Sequence, residues 1–301
     1  MRTIFINIAG YHDYELPKTI QSLIDNSSGK NNLYFGVHYV FEDEDNIQVQ
    51  QYDNIRVIAS KAPDNLSPGL GRYLAHSLYN NEDYYMVIDS HSRVCKNWDE
   101  LLISDINYYK ELGHDKPVLT SYPAQYFYDS EGNEILSKNP VPQNIDFRKD
   151  DHGQKVFKEY LNPINESCVN NTKYQKSISG GFSFTVYPYI QLNKDICFTE
   201  EFAVGAMLYT NGFDLLIPRN QVIYHWYSSP ETGFFEEYNR RSVWHYKDNL
   251  QPLSNYLTIS RDTIYKMFDE KLVGKGYLGS ERTLEEYAEY ANLDFVNRVI
   301  L

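Results

Sequence analysis

Short β-rich runs alternate with helical stripes through the first half of the chain, and this alternation narrows the fold more than any other feature. Each run-and-stripe pair is a βα unit, and such units in series stack onto a mostly parallel sheet with helices on its faces. Thr3-Ile-Phe-Ile-Asn-Ile-Ala reads as the first strand. Leu16, Ile20, Leu23 and Ile24 then lie on one helical stripe, entered through Pro17, whose missing N–H is harmless in a first turn. Leu33 to Phe41 and Asn54 to Ala59 read as strands, and Gly69 to Tyr79 as a helix. Asp83-Tyr-Tyr-Met-Val-Ile-Asp89 is the most strand-like segment, β-branched and aromatic, and it ends abruptly in polar residues. A helix over Trp98 to Leu112 and a strand from Pro117 complete the series.

Beyond Pro123 the periodicity gives way to turn chemistry up to about Ser177, with Asp129-Ser-Glu-Gly-Asn, Pro140, Pro142 and Asp150-Asp-His-Gly. A stretch of that length inside a folded unit reads as a functional insertion. Regular pattern resumes at Phe182-Ser-Phe-Thr-Val, then a helix from Thr199 to Asn211 closed by Gly212, then strands over Phe213 to Ile217 and Val222 to Trp226. From Ser254 onward the pattern is mostly helical, and Thr283-Leu-Glu-Glu opens the final helix as a capping box. There is no internal repeat.

Charge and cysteine content exclude several classes. Lys and Arg total 28 against 41 Asp and Glu, a net charge of −13, so no broad basic surface exists to bind nucleic acid non-specifically. Nucleic acid is therefore an unlikely partner, although a local basic groove stays open. Cys95, Cys168 and Cys197 are odd in number and widely spaced, which fits neither a disulfide framework nor a zinc knuckle and reads as reduced thiols. The N-terminal apolar run is short and broken by Asn7, so no signal peptide, membrane span or membrane partner is expected. A cytoplasmic protein follows, and the N-x-Ser/Thr sequons at Asn26, Asn65, Asn165 and Asn170 read as chance.

The chemistry concentrates at Asp89-Ser90-His91, where the apolar strand ends. Residues i and i+2 of an extended segment point the same way, so Asp89 and His91 can share one ligand at the edge where open α/β sheets bind theirs. A carboxylate beside a neutral imidazole suits Mn²⁺ first and Mg²⁺ second. The same tripeptide also reads as a polar exit that caps the next helix. His225, ending a later apolar strand, reads alone as a buried histidine and, with a partner set, as a ligand. Glu200 and Glu201 could supply favourable charge at a helix N-terminus or orient and deprotonate an attacking hydroxyl. Gly180-Gly181 alone marks a turn, and Arg240-Arg241 reads either as a solvated helix face or as bidentate donors to a diphosphate.

Three segments in order decide among these readings: Ser67-Pro-Gly-Leu-Gly-Arg72, the tyrosine-rich strand ending in Asp89-Ser90-His91, and Trp98-Asp. Together they resemble the cytoplasmic hydroxyproline (Skp1-type) N-acetylglucosaminyltransferases. Ile4-Phe-Ile-Asn-Ile-Ala-Gly-Tyr11-His-Asp13 resembles that family's opening strand, which ends in Tyr-Arg-Asp, with His12 in place of the arginine. Phe198-Thr-Glu200-Glu201, Asn211-Gly-Phe-Asp and Tyr224-His225-Trp226 follow in an order similar to that of the polypeptide N-acetylgalactosaminyltransferases, in which the late histidine completes a metal site.

The resemblance implies a GT-A-type α/β fold with a mostly parallel sheet flanked by helices. Residues 1–235 would form the catalytic domain: a nucleotide-binding half (1–122), an irregular acceptor-side insertion (123–178) and an acceptor and metal half (179–235). Residues 236–301 would form a mainly helical extension. It implies a retaining, metal-dependent transfer of N-acetylglucosamine from a UDP-sugar to a hydroxyl, first of all a protein hydroxyl such as hydroxyproline. Asp89, His91 and His225 would hold the ion. Tyr11, Asp13, Arg72, Asp89, Ser90, Gly180, Gly181, Arg240 and Arg241 would contact the nucleotide-sugar, and Glu201, with Glu200 as its alternate, would serve the acceptor. The alternatives are transfer to a glycan or a hydroxymethylated base, and a non-catalytic sugar-nucleotide or glycan-binding protein. A homodimer is compatible with all of them.

Overall fold

The computed structural model describes residues 1–43, 53–147, 164–167, 174–186, 189–198, 200–227 and 251–301. Its first half carries the expected alternation: β1 (Arg2–Tyr11), α1 (Leu16–Asp25), β2 (Asn31–Phe41), β3 (Ile55–Lys61), α2 (Pro68–His76), β4 (Tyr84–Asp89), β5 (Ser92–Val94), α3 (Trp98–Glu111) and β6 (Pro117–Thr120). The middle adds β7 (Ala124–Tyr128), β8 (Glu134–Leu136), β9 (Gln143–Asp146), β10 (Ile164–Ser167) and β11 (Phe182–Val186). After these come α4 (Glu200–Thr210), β12 (Asp214–Leu216), β13 (Ile223–His225), α5 (Gln251–Asp269), α6 (Leu284–Ala291), β14 (Leu293–Asp294) and β15 (Val299–Ile300).

Seven strands form the main sheet in the order β12-β6-β11-β4-β1-β2-β3. All neighbouring pairs are parallel except those of β11, which runs antiparallel to both β4 and β6. Side chains on β1 alternate between the two faces, as a period of two requires. Ile4, Ile6 and Ile8 pack with Leu16 and Leu23 of α1 and Trp98 and Leu102 of α3. Phe5 faces the other way, into a cluster with Met207 of α4, Met267 of α5 and Tyr287 of α6. In α4 every side chain from Phe202 to Leu208 is buried, so this helix has no solvent face and sits inside the second layer. Gly212 follows it with φ of +81°, and Thr283 caps α6 with both bonds of the expected capping box.

The sequence reading of 123–178 as turns is corrected by β7 and β8, which pair antiparallel within it. With β5 and β13 they make a second sheet, in the order β5-β13-β7-β8. Tyr126 and Tyr128 alternate inward on β7, but the strands on either side are too short for a periodic signal. Glu15, 2% exposed, ties this sheet to α1: it pairs with Arg93 of β5 and accepts hydrogen bonds from the hydroxyls of Tyr126 and Tyr128. The terminal pair β14–β15 also departs from the helical expectation. Cys95 and Cys197 are free thiols, and Cys168 lies outside the described residues. No helix among the described residues is long and apolar enough to cross a membrane.

Removing one partner of a buried ion pair strands the other. Arg93→Ala should therefore lower unfolding free energy by about 3 kcal/mol, the low end of the usual range because Lys18 still bonds Glu15 at 2.9 Å. Urea denaturation measures it, and a change within error of zero would show that the pair does not hold the second sheet.

Candidate active site

Strand direction brings the site together. Ala9 of β1 pairs with Asp89 of β4 in parallel, so the residues after each strand, Tyr11 to Asp13 and Asp89 to His91, leave the sheet at the same edge. Because β11 runs the opposite way, with Phe182 opposite Ile88, Gly180 and Gly181 arrive at that edge just before it begins. In the second sheet His225 pairs with Ser92, which sets the late histidine beside His91.

Asp89, His91 and His225 each offer one ligand atom, and these atoms lie within 4.8 Å of one another. His225 Nε2 is 2.8 Å from His91 Nε2 and 3.1 Å from Asp89 Oδ2. Two ligands at right angles, each about 2.1 Å from an ion, stand about 3.0 Å apart. The spacing and the mixed oxygen and nitrogen donors thus fit a divalent cation. Asp13, 2% exposed, accepts from Ser90 Oγ at 2.6 Å and lies 2.8 Å from His91 Nδ1. With Nδ1–H donated to Asp13, the His91 Nε2 lone pair is left for the cluster, as carboxylate-oriented metal-binding histidines require. Asp13 lines the cleft, and its carboxylate is engaged with Ser90 and His91.

On the other side of Asp89 lies Arg72, presented by α2, which Ser67 caps by accepting from Leu70 N at 3.0 Å. Its Nη2 donates to Asp89 Oδ1 and to the Gly180 carbonyl, both at 2.8 Å, and its Nη1 donates to Glu200. Glu201 instead accepts from the Gly180 amide, and the Tyr122 hydroxyl donates to its Oε2 at 3.4 Å. The adjacent acids are therefore distinguished: Glu200 is paired with a cation and Glu201 is held by neutral donors.

Their protonation follows. Burial pushes Glu201 up to about 7, with the charge of Glu200 adding to the rise and the Gly180 N–H opposing it. Burial also raises Glu200, against the pull of Arg72. Burial alone would raise Asp89, but the His225 hydrogen bond and the Arg72 charge hold it well below the usual carboxylate range. A carboxyl poised near neutrality can both take and return a proton, so Glu201 is the group suited to proton movement. A Cβ on Gly181 would come within 3.2 Å of Asp89 Oδ2, and one on Gly180 within 3.1 Å of Glu201 Oε1, so side chains are absent where the acids crowd closest.

A cleft of about 160 Å³ runs from Asp89 and His91 past Ser90 and Arg72 to Tyr11. His38 and Asn65 also line it, and no local pattern announces them, since a histidine inside an apolar strand reads as core. Burial lowers His38 to about 4, which keeps it neutral beside Ser60 Oγ at 3.1 Å. Tyr122 was likewise hidden, being one more tyrosine in a tyrosine-rich chain. Trp226 is buried against Tyr128, whereas the Tyr227 ring lies 4.3 Å from that of His225 and its hydroxyl donates to the Pro123 carbonyl. Arg240 and Arg241 lie outside the described residues.

The sequence pattern described as Glycosyltransferase (GlcNAc) matches residues 39–297. Among curated proteins none matches. Among solved structures, GalNAc-T7 with UDP, GalNAc and Mn²⁺ is similar with a TM-score of 0.50 at 14% identity, over 96% of this chain and 55% of that one. TarS 1–349 of S. aureus in complex with UDP-GlcNAc has a TM-score of 0.46 at 12% identity, over 99% of this chain and 72% of that one. The chain thus spans about half the length of the GalNAc-T7 chain, and the architecture they share is the GT-A fold.

Two expectations follow from the site. Asp13→Asn, which loses the carboxylate behind His91, should weaken Mn²⁺ binding by about 10- to 100-fold in titration calorimetry; undiminished affinity would remove Asp13 from the metal's support. Glu201 binds its proton more tightly folded than unfolded, so it costs stability as pH rises from its unfolded value toward 7, and that cost persists above. Glu201→Gln removes the cost. In chelator, its stability relative to the parent should rise by about 2–3 kcal/mol between pH 5 and pH 8, and a pH-independent difference would show that the carboxyl titrates normally.

Proposed function

The chain belongs to the glycosyltransferase (GlcNAc) family, and from that membership together with the site we propose that it transfers N-acetylglucosamine from a UDP-sugar to a hydroxyl, retaining the anomeric configuration. The observation that carries the reading is the convergence of Asp89, His91 and His225 at the end of a cleft whose flank holds Arg72 and the Gly180-Gly181 backbone. These three residues would hold the divalent ion, Mn²⁺ first and Mg²⁺ second. Bound there, it would neutralise charge on the departing diphosphate.

The chain's own groups supply the rest. Arg72 stabilises the same developing charge through a guanidinium that is already oriented by Asp89, Glu200 and the Gly180 carbonyl and needs no reorganisation. Asp13 fixes the tautomer of His91. Glu201 orients the acceptor hydroxyl and holds its proton at a carboxylate oxygen, while Glu200 keeps Arg72 in place. Retention places attack and departure on one face of the sugar, so no enzymic nucleophile is required. The complete ligand set supports catalysis over passive sugar-nucleotide binding, because a binding module has no use for a poised carboxyl beside it.

For the acceptor, we favour a protein hydroxyl such as hydroxyproline in a cytoplasmic partner. Support comes from the order of Arg72, Asp89-Ser90-His91 and Trp98-Asp99, and from a net charge of −13, which disfavours nucleic acid. Arg240 and Arg241 remain candidate diphosphate contacts by their place in the sequence.

Hydrolysis of UDP-N-acetylglucosamine reports the reaction without the acceptor. It should stop in EDTA and return with Mn²⁺, and activity surviving exhaustive chelation would sink the metal-dependent reading. Glu201→Gln should cut transfer roughly 10²- to 10⁴-fold and leave UDP affinity unchanged. His225→Ala should weaken both, read by calorimetry with UDP and Mn²⁺, and the opposite pattern would mean that the donor and acceptor sides are exchanged.

A further inference from the structure

Helix α5 turns one stripe toward the rest of the chain, and the two halves of that stripe differ in chemistry. Ile264, Met267 and Phe268 join the core with hydrocarbon alone, and the Phe268 ring lies 5.2 Å from that of Phe202 of α4. Earlier on the same face, at three- and four-residue spacing, stand Leu253, Tyr256, Leu257 and Ser260, which meet the segments around Leu66 and Phe198. Two of these four bring hydroxyls. Hydrocarbon would serve for packing, and a hydroxyl taken from water is costly unless it is bonded. Here both are bonded to backbone that lies outside the helices and the strands. The Tyr256 hydroxyl accepts the Asn65 N–H at 3.1 Å. Ser260 Oγ, on a residue 1% exposed, accepts the Phe198 N–H at 3.0 Å and donates to the Phe198 carbonyl at 2.6 Å.

The candidate site depends on both of these backbone points. Asn65 lines the nucleotide cleft in a left-handed conformation, with φ of +59°. Phe198 lies two residues before Glu200, where α4 begins. From its other side that entry is gripped by α2, the helix that presents Arg72: the Gly69 N–H donates to the Cys197 carbonyl at 2.9 Å, and a Cβ on Gly69 would come within 2.1 Å of the Ile196 carbonyl. The chain entering α4 is thus held between α2 and Ser260. We propose that Tyr256 and Ser260 are positioning residues of the site: Tyr256 sets the Asn65 wall of the nucleotide cleft, and Ser260 sets the start of α4 and with it the direction of the Glu201 carboxyl. The inference rests on the transferase reading above and adds to it a division of labour along one helix, with donor binding supported at Tyr256 and turnover at Ser260.

Titration calorimetry with UDP and Mn²⁺, paired with hydrolysis of UDP-N-acetylglucosamine at saturating donor, separates the two roles, since water then stands where the acceptor hydroxyl would. Tyr256→Phe keeps the ring and loses the hydroxyl. It should weaken UDP binding by about 3- to 10-fold, the effect of one lost hydrogen bond between neutral groups, and leave turnover at saturation unchanged. Ser260→Ala should cut turnover by roughly 10- to 100-fold, the scale for a reacting group displaced by up to about 1 Å. It should leave UDP binding unchanged, because Asp89 and the Gly180 carbonyl still hold Arg72. Ser260→Cys, close to serine in size and weaker as donor and acceptor, should fall between Ser260→Ala and the parent, and it carries the test if the alanine variant does not fold. Losses shared by both measures in either variant, or values equal to the parent's in both, would reduce this face of α5 to packing and overturn the inference while the transferase reading stands. A parent that neither binds UDP nor hydrolyses the donor refutes both.

Discussion

One guanidinium answers for three carboxylates. Arg72 is 10% exposed and faces Asp89, Glu200 and Glu201, and their negative charge is what lifts its own affinity for a proton against burial. Ionising all three acids would leave two negative charges uncompensated by Arg72 in a largely buried site, which is costly. The protein resolves this unequally. Asp89, with His225 and Arg72 both bonded to it, stays ionised, and Glu201, with only neutral donors, keeps its proton until near neutrality. The same deficit would favour a divalent cation, so the candidate ligands Asp89, His91 and His225, the buried Glu201 and the arginine are parts of one charge balance.

That balance depends on topology. The antiparallel insertion of β11 between β4 and β6 is what sets the Gly180-Gly181 backbone next to the end of β4, where its carbonyl meets Arg72 and its amide meets Glu201. A fully parallel sheet would have carried those glycines to the far edge. Likewise the burial of α4 on every side fixes its first turn, and with it the separate directions of Glu200 and Glu201.

The βα alternation and the Asp89-Ser90-His91 strand end are legible because periodicity carries them, whereas a late histidine joins them only as what the family resemblance implies. Hidden features were those set by contacts between distant segments. β5, β8 and β13 are each three residues long, and Ser92 meets His225 across more than a hundred positions, so no local pattern announces the second sheet. Asp13 could be placed near the site from its motif, but its bond to His91 exists only because β1 and β4 are neighbours. Adjacent glutamates are indistinguishable in sequence, and the identity of their partners separates them.

Asp89 stands on the main sheet, while His91 and His225 are carried by the turn into the second sheet and by that sheet itself, and the two sheets have separate ladders. The turn between Asp89 and Ser92 is fastened by Asp13, which holds Ser90 and His91, and by one hydroxyl: Thr19 Oγ1 reaches the carbonyls of Ser90 and Ser92 at 2.7 and 3.0 Å and accepts the Ser92 amide at 2.9 Å. A ligand set divided between two plates acts as a rivet. An ion seated there would resist any shear of one plate over the other, and the plate that would slide is the one built from the β7–β8 hairpin and its tyrosines. Filling that ligand set would then stiffen the second sheet against the first.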